Sequence, residues 1–314
     1  MCYNGRNHFN RREAWEVFVM KLEDWRIRDP FVYNDGHRLI LYGSTSVGCG
    51  AKQKSVFVAS TSSDMENWSD PVTIFEAGSN FWGTRDFWAP EMHAYEGAYY
   101  LFASFAADRR KRATAVLRAQ DPLGPFVPYG SEQITPMDWQ CLDGTLHVEG
   151  DTPYMVFCHE WVECGDGEMW AVPMEKDLSG AAGKPVFLFR ASEAPWCRPL
   201  SGVKHGAVAD PYVTDGPFLF RGQDGGLKML WSSFSAGGRY TVGLAFSEGG
   251  VCGPWRQQAE PVFAQDGGHA MLFTDLRGQL RLSLHQPNDG PRERARFLRA
   301  EWTEHGIGLR PEER

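Results

Sequence analysis

Short apolar runs separated by polar turns recur along the whole chain. Each recurrence begins with a small or polar turn, continues as a strand, turns again and ends in a second apolar strand. These second strands occupy residues 39–44, 99–104, 154–157, 228–231 and 280–284. Self-similarity at a period of tens of residues predicts stacked or radial supersecondary units. Because the units are strands, we expect a β-propeller, whose sheets pack around an axis and hide most of their edges.

Five recurrences predict an all-β fold: a five-bladed β-propeller with four antiparallel strands in each blade. We place the blades at about residues 27–75, 87–129, 141–189, 213–263 and 269–309. A prior of about 150 residues per domain would divide the chain in two. The repeat overrides that prior, so residues 27–314 are expected to form one propeller domain. Residues 1–26 fit both strand and helix spacing, and we interpret them as an N-terminal segment that closes the ring against the last blade.

Composition narrows the classes of partner. The chain has a formal net charge of −8 and no basic stripe, which argues against nucleic acid. The basic cluster at residues 109–112 is expected to be a solvated loop. No apolar run reaches the length of about 18 residues that a membrane span needs. The first six residues lack an apolar signal core, which predicts a cytoplasmic protein unless a leader has been removed.

Cysteine and tryptophan usage adds two expectations. The seven Cys are odd in number and show no metal-ligand spacing, so we expect mostly free thiols near the core. The 12 Trp suit either packing between blades or platforms for flat ligands such as sugar rings.

Polar residues stand at the start of each recurrence, and in a propeller these starts converge on the axis. We call them the head residues; they are Asp29, Glu91, Asp143, Asp215 and His269. The far ends of the second strands should reach the same rim, and they carry Ser44, Phe105, His159, Glu160, Trp161, Trp231 and His285. An Asp before Gly or Pro also suits an ordinary turn. The matching repeat positions favour the interpretation as one site.

Several carboxylates around one cleft, with Trp nearby, are suited to cleaving a glycosidic bond. One carboxyl protonates the leaving oxygen, and a second activates water or acts as the nucleophile. A third can hold the pKa of the acid near the working pH. This chemistry requires no cofactor, and the partner it predicts is an oligosaccharide or polysaccharide.

Five motifs resemble glycoside hydrolase family 43 from about residue 26 to the end of the chain. They are Arg28-Asp29-Pro30-Phe31-Val32, Phe87-Trp88-Ala89-Pro90-Glu91, Leu142-Asp143-Gly144-Thr145, Thr214-Asp215-Gly216-Pro217-Phe218 and Gly267-Gly268-His269-Ala270. The resemblance implies a five-bladed propeller and an inverting glycosidase, with arabinofuranosidases, xylosidases, arabinanases and galactosidases as the known activities. It implies that Asp29 is the general base and that Asp143 modulates the pKa of the acid.

The general acid departs from the family pattern, because the family has Glu in a Glu-Gly-Pro motif where this chain has Asp215. The shorter side chain would leave the proton over about 1 Å further from the leaving oxygen, a misplacement that costs about 100-fold in rate. Asp215 serves as the acid in a reshaped pocket, or Glu160 takes the role. The third alternative is a non-catalytic carbohydrate-binding propeller that has lost hydrolysis. Glu163 is a weaker candidate acid.

Substrate contacts are expected from Trp88, Glu91, Trp161, Trp231 and His269. His269 also resembles a family histidine near the axis that binds a central calcium ion in some members, so it is the candidate metal ligand. The leading hypothesis is an exo-acting glycosidase on arabinofuranosyl, xylosyl or galactosyl ends. A five-bladed fructosidase or mannoside phosphorylase is the other enzymatic alternative, and the missing Asn-Asp-Pro-Asn motif counts against the fructosidase.

Overall fold

The computed structural model of the protein describes residues 20–47, 54–304 and 306–310. Five sheets of four sequential antiparallel strands form the blades of a propeller, which confirms the predicted fold. The first two blades comprise β1 Arg28–Asn34, β2 Leu39–Val47, β3 Lys54–Ser62 and β4 Val72–Glu76, then β5 Arg85–Tyr95, β6 Ala98–Ala107, β7 Arg110–Ala119 and β8 Val127–Pro128. Blade three comprises β9 Cys141–Glu149, β10 Thr152–His159, β11 Glu168–Pro173 and β12 Val186–Arg190. The last two blades comprise β15 Asp215–Arg221, β16 Leu227–Ser235, β17 Arg239–Ser247 and β18 Trp255–Gln257, then β19 Gly268–Thr274, β20 Leu280–Gln286, β21 Arg294–Thr303 and β22 Gly306–Leu309.

Little else is regular in the described residues. A two-stranded hairpin, β13 Lys204–His205 and β14 Val208–Ala209, stands between blades three and four. One α-helical turn, α1 Trp161–Cys164, follows β10, and 3-10 turns occur at Leu22–Asp24, Ala191–Glu193 and Gly290–Arg292. Within these residues no helix has the length and apolar character needed to cross a membrane.

The second strands of the blades are buried on both faces, which explains why they appear in the sequence as continuous apolar runs. Leu39, Ile40, Leu41 and Tyr42 follow one another in β2 and all are fully buried. A strand with one solvated face would alternate apolar and polar residues. Blades covered by neighbours on both sides therefore supply the pattern from which the repeats are recognised.

Apolar clusters fill the spaces between neighbouring blades. The cluster between blades three and four contains Trp231 in contact with Trp196, at 5.1 Å between ring centroids, and with Phe189 at 5.3 Å. Among the described cysteines, Cys141, Cys158 and Cys197 are buried free thiols, Cys164 is a half-buried one and Cys252 an exposed one. These five agree with the expectation of free thiols.

Polar contacts join the last blade to the first and close the ring. Glu293 is almost fully buried and pairs with Arg26 at 2.6 Å and with Arg28 at 2.5 Å. Ser283 Oγ donates a hydrogen bond of 2.9 Å to the carbonyl of Pro30. Most of the predicted closing segment, residues 1–19, lies outside the described residues. Met20 pairs with Trp68 of blade one, and its role in closure stays a prediction.

Candidate active site

A cavity of about 530 Å³ opens where the inner strands of all five blades begin. Seven of the nine predicted site residues line it: Asp29, Trp88, Asp143, Glu160, Trp161, Asp215 and His269. The wall is completed by Arg26, Arg28, Leu142, Tyr240, Asn288, Gly290 and Glu293. Residues that are remote in the sequence thus share one hollow, as the radial arrangement predicts.

Every inner strand has a left-handed residue near its start. Across the five blades these residues are Asp29, Ala89, Asp143, Gly216 and His269, with φ values of 52°, 47°, 56°, 49° and 54°, and β5 has a second one, Asp86, with a φ of 56°. In every blade the pairing of the first two strands also shifts register at this point. A left-handed residue with a register shift forms a bulge, and bulges redirect side chains next to active sites. The repeated bulge therefore directs the inner-strand starts towards the axis.

This register corrects the alignment of the head residues. Asp29, Asp143 and His269 occupy the left-handed position, but Asp215 precedes it and Glu91 lies two residues after it. Glu91 is therefore not equivalent to Asp29. It is as buried as Asp29 but does not line the cavity.

Side chains of the preceding blade fix three of these bulges. The backbone N–H of Asp143 donates to Ser104 Oγ at 2.9 Å, and that of His269 donates to Ser232 Oγ at 2.8 Å. The N–H of Asp29 donates to His285 Nδ1 at 3.4 Å. Backbone held on both sides by rigid strands positions a side chain more accurately than a loop does.

Asp29 lies beside two cationic side chains. Its Oδ1 lies 3.2 Å from His269 Nδ1, and its side chain is 3.5 Å from Arg28 Nε. Burial by itself raises the pKa of Asp29, but the charges of His269 and Arg28 outweigh it and hold this pKa below its usual value. Asp29 is therefore ionised at neutral pH.

Asp143 and Asp215 shift in the opposite direction. Burial and the charges of Asp215 and Asp29 raise the pKa of Asp143 to about 7, against the lowering effect of His269. Burial also raises the pKa of Asp215, although Arg28, His269 and the hydroxyl of Tyr240 act against it. That hydroxyl donates to Asp215 Oδ2 at 3.1 Å. The site thus combines an ionised carboxylate, Asp29, with two carboxyls of raised pKa, Asp143 and Asp215.

His269 lies among the carboxylates and is protonated at neutral pH. Burial by itself lowers the pKa of His269, but Asp29, Asp143 and Glu91 raise it to about 10. Its Nε2 lies 3.8 Å from Glu91 Oε1, and the other oxygen of Glu91 lies 3.5 Å from His93 Nε2.

The calcium expectation for His269 stays a prediction. His269 Nε2 and Glu91 Oε2 are buried and have no hydrogen-bond partner among the described residues. A protonated imidazole has no free lone pair for a metal, so His269 would hold an axial ion only after losing its proton. Glu91 and water would supply the six to eight oxygens that Ca²⁺ prefers. When bound, the ion would supply positive charge near the carboxyls.

Glu160 lies at the rim, at the end of β10, and is buried. It forms an ion pair with Arg112, whose Nη2 lies 2.9 Å from Asp86 Oδ2. Burial raises the pKa of Glu160, although Arg112 lowers it.

Two expectations are wrong. Trp231 does not reach the cavity, because its ring is fully buried in the core and its Nε1 donates to Gln257 at 3.0 Å. The basic cluster at residues 109–112 is not a solvated loop throughout, since β7 begins at Arg110 and the Arg112 side chain is only 13% exposed. Sequence reasoning also missed Tyr240, although it begins a third strand near the rim.

Comparison with known proteins identifies the family of the chain. The sequence matches the family described as Glycosyl hydrolases family 43 over residues 24–307. A solved endo-arabinase from Bacteroides thetaiotaomicron is 39% identical, with a TM-score of 0.82 over 92% of this chain and 99% of that one. A thermostable family-43 glycoside hydrolase is 22% identical, with a TM-score of 0.75 over 92% and 94% of the two chains, and shares the fold.

A curated relative from Aspergillus clavatus, a probable arabinan endo-1,5-alpha-L-arabinosidase C, is 28% identical over 112 residues. That match covers 32% of this chain and 35% of the relative, about a third of its length. The family match over most of the chain is the stronger finding. The chain therefore belongs to the glycosyl hydrolases of family 43.

Proposed function

We propose that the protein is an inverting, exo-acting hydrolase that removes terminal α-L-arabinofuranosyl residues from plant-type oligosaccharides or polysaccharides. The observation that carries this proposal is the opposite shift of the buried carboxyls: Asp29 towards the ionised form, Asp143 and Asp215 towards the protonated form. Titratable groups whose environments push their pKa values apart are the usual sign of a base and an acid.

In the proposed reaction, Asp29 is the general base. It accepts a proton from a water molecule while the water oxygen bonds to the anomeric carbon. The bond from that carbon to the leaving oxygen breaks, and the acid gives this oxygen a proton. One water is consumed, and the anomeric configuration inverts because attack and departure occur on opposite faces. The proton on Asp29 returns to solvent, and the acid is reprotonated.

We assign the role of the acid to Asp215. Burial raises the pKa of both Asp215 and Glu160, and cations act against it in both cases. The two differ in direct contacts: among the described residues, Asp215 accepts a hydrogen bond from the neutral hydroxyl of Tyr240 and forms no ion pair, whereas Glu160 is paired with the guanidinium of Arg112. A cation in direct contact favours the ionised form of a carboxyl, which cannot donate a proton. In this assignment Asp143 keeps the pKa of Asp215 raised and fixes its position, and Glu160 binds substrate. Glu160 remains the second candidate for the acid.

The sugar and the position of attack are proposed on separate grounds. The arabinosyl specificity is supported by the solved endo-arabinase, at 39% identity. Exo attack is supported by a cavity with walls from all five blades, which suits a chain end better than a continuous chain. The name of that relative favours endo attack as the second candidate.

The test combines a panel of aryl α-L-arabinofuranosides, β-xylosides and galactosides with linear α-1,5-arabino-oligosaccharides. We expect turnover of the arabinofuranoside, release of arabinose alone from the oligosaccharides, and no turnover by Asp29→Asn with wild-type thermal unfolding. Asn is a suitable replacement because it tolerates the left-handed backbone of Asp29. Release of longer products would establish endo attack. Sugar binding without any turnover would revive the non-catalytic alternative, and full activity of Asp29→Asn would refute the mechanism.

A further inference from the structure

Arg112 connects two residues that line the cavity from different blades. Its guanidinium lies 4.0 Å from the ring centroid of Trp88, on the inner strand of blade two. The same guanidinium forms ion pairs with Glu160 of blade three and with Asp86. Arg112 itself does not line the cavity and is largely buried. One residue behind the wall therefore fixes two side chains within it.

We propose that Arg112 is a positioning residue that builds a sugar-binding subsite on the leaving-group side, with Trp88 as the platform and Glu160 as the acceptor for sugar hydroxyls. The inference deepens the proposed glycosidase function and rests on it. Nothing in the sequence marked Arg112 for this role, since the basic cluster predicts a solvated loop.

Trp88 has the exposure and the place in the cavity wall that a platform needs. It is 38% exposed, unusual for so large an apolar side chain, and it lines the cavity. Sugars stack their C–H faces on indole rings, and the ring must be held still for this contact to contribute to affinity. A guanidinium over the ring supplies that restraint, because it is attracted to the electron-rich face.

Glu160 supplies the directional part of the subsite. The pair with Arg112 favours a carboxylate that accepts hydrogen bonds, and a planar guanidinium fixes its orientation. Glu160 also lies near the proposed acid, since the charge of Asp215 contributes to its raised pKa, after burial and against Arg112. The sugar next to the cleaved bond on the leaving side is therefore the one that Trp88 and Glu160 would hold.

The same strand offers a matched control. Arg110 lies 4.1 Å from the ring centroid of Trp82 and pairs with Glu132 at 2.7 Å. Its side chain is 19% exposed, close to the value for Arg112. Neither Arg110 nor Trp82 lines the active cavity. An Arg110→Met variant therefore loses a comparable set of contacts at a place that substrate does not reach.

The experiment compares Arg112→Met, Arg112→Lys and Arg110→Met by kcat, KM and thermal unfolding. The substrates are an α-1,5-arabino-oligosaccharide and an aryl α-L-arabinofuranoside, whose leaving group is not a sugar. We expect Arg112→Met to raise KM for the oligosaccharide about 10- to 100-fold, the range of one strong contact. KM for the aryl substrate should change less than about threefold. The oligosaccharide KM of Arg112→Lys should lie between those of the wild type and Arg112→Met, because Lys keeps the charge but lacks the planar guanidinium. Arg110→Met should leave both KM values unchanged.

Equal losses on the two substrates, or an equal loss in Arg110→Met, would overturn the inference. If Arg112→Met does not fold, Arg112→Lys is compared with the wild type. The inference then holds if the KM of Arg112→Lys rises more for the oligosaccharide than for the aryl substrate. Failure of the proposed specificity is a separate result: the wild type would then cleave xylosyl or galactosyl substrates. The same pair of oligosaccharide and aryl glycoside would be used for the sugar it cleaves, so the inference is decided in either case.

Discussion

Asp143 Oδ2 accepts a hydrogen bond of 3.0 Å from the backbone N–H of Gly216, the residue that follows Asp215. The carboxyl of blade three thus holds the inner-strand start of blade four by its backbone. Asp143 therefore influences Asp215 in two ways: by the negative charge it carries when ionised, and, through this bond, by the position of the chain.

Substitution of Asp143 separates these two contributions. Asp143→Asn keeps an oxygen that accepts the Gly216 N–H and tolerates the left-handed backbone, but it removes the charge. We expect normal stability with a fall in kcat of about 100-fold, within the range for acid–base assistance. Asp143→Ala also leaves the buried N–H without a partner, which should cost a further ~1–3 kcal/mol of unfolding free energy. Urea denaturation with kinetics on one aryl glycoside measures both; equal stability of the two variants would contradict the positional role.

The identity of the acid is accessible through the leaving group. Asp215→Asn should reduce kcat strongly for substrates with poor leaving groups and little for those with good ones, because only a poor leaving group needs the proton. Glu160→Gln should instead raise KM for oligosaccharides and show no dependence on the leaving group. A series of aryl glycosides of graded leaving-group pKa gives this slope directly. A steep slope in Glu160→Gln, with a flat one in Asp215→Asn, would exchange the two roles.

The pH profile should follow the opposite shifts of the two proposed residues. The base is active when ionised, and the lowered pKa of Asp29 places the acidic limb of kcat/KM below the pKa of an ordinary Asp. The acid is active when protonated, and its raised pKa moves the alkaline limb to higher pH. Tyr240 donates a hydrogen bond that favours ionised Asp215, so Tyr240→Phe should raise that pKa further. We expect the alkaline limb of Tyr240→Phe to move up by about one pH unit, the equivalent of one charged hydrogen bond. If the alkaline limb moves to lower pH or does not move, Tyr240 does not control the pKa of the acid.

The fold could be predicted from the sequence because blades covered on both sides leave uninterrupted apolar runs. Uninterrupted apolar runs do not show where the register of each inner strand shifts. A left-handed residue starts every inner strand, but it is Asp, Ala, Gly or His in different blades, so no residue type marks it. Charge alone aligns Glu91 with Asp29, although Ala89 is the equivalent residue. The feature that recurs in every blade is the left-handed backbone conformation, and not a carboxylate at a fixed position.

The misplacements at the rim have a different cause. The apolar run ends at Trp231, but β16 continues to Ser235, so Trp231 lies in the middle of the strand and its ring is covered by Trp196 and Phe189 from outside its blade. Trp161 instead begins α1, just after β10, and lines the cavity. Arg112 resembled a surface charge because its partners, Asp86 and Glu160, lie 26 and 48 residues away. Contacts between blades leave no local signal in the sequence.

Gly216 offers a last test of the axial geometry. A Cβ at this position would lie 2.8 Å from His269 Cγ and 2.9 Å from its Nδ1, closer than carbon contacts allow. Gly97 also has a left-handed backbone, in the turn between β5 and β6, but nothing lies within 4 Å of its added Cβ. Both Ala variants carry the backbone cost of about 1–2 kcal/mol, and only Gly216→Ala must displace the imidazole.

We therefore expect Gly97→Ala to lose about that amount of stability and to keep wild-type kcat. Gly216→Ala should lose more stability, with overpacking adding about 1–3 kcal/mol. It should also lower kcat, since a displaced His269 no longer holds the pKa of Asp29 down. The acidic limb of the pH profile should then move towards the pKa of an ordinary Asp. Should Gly216→Ala match Gly97→Ala in kcat and pH profile, the contact between His269 and Asp29 would not control the ionisation of the base.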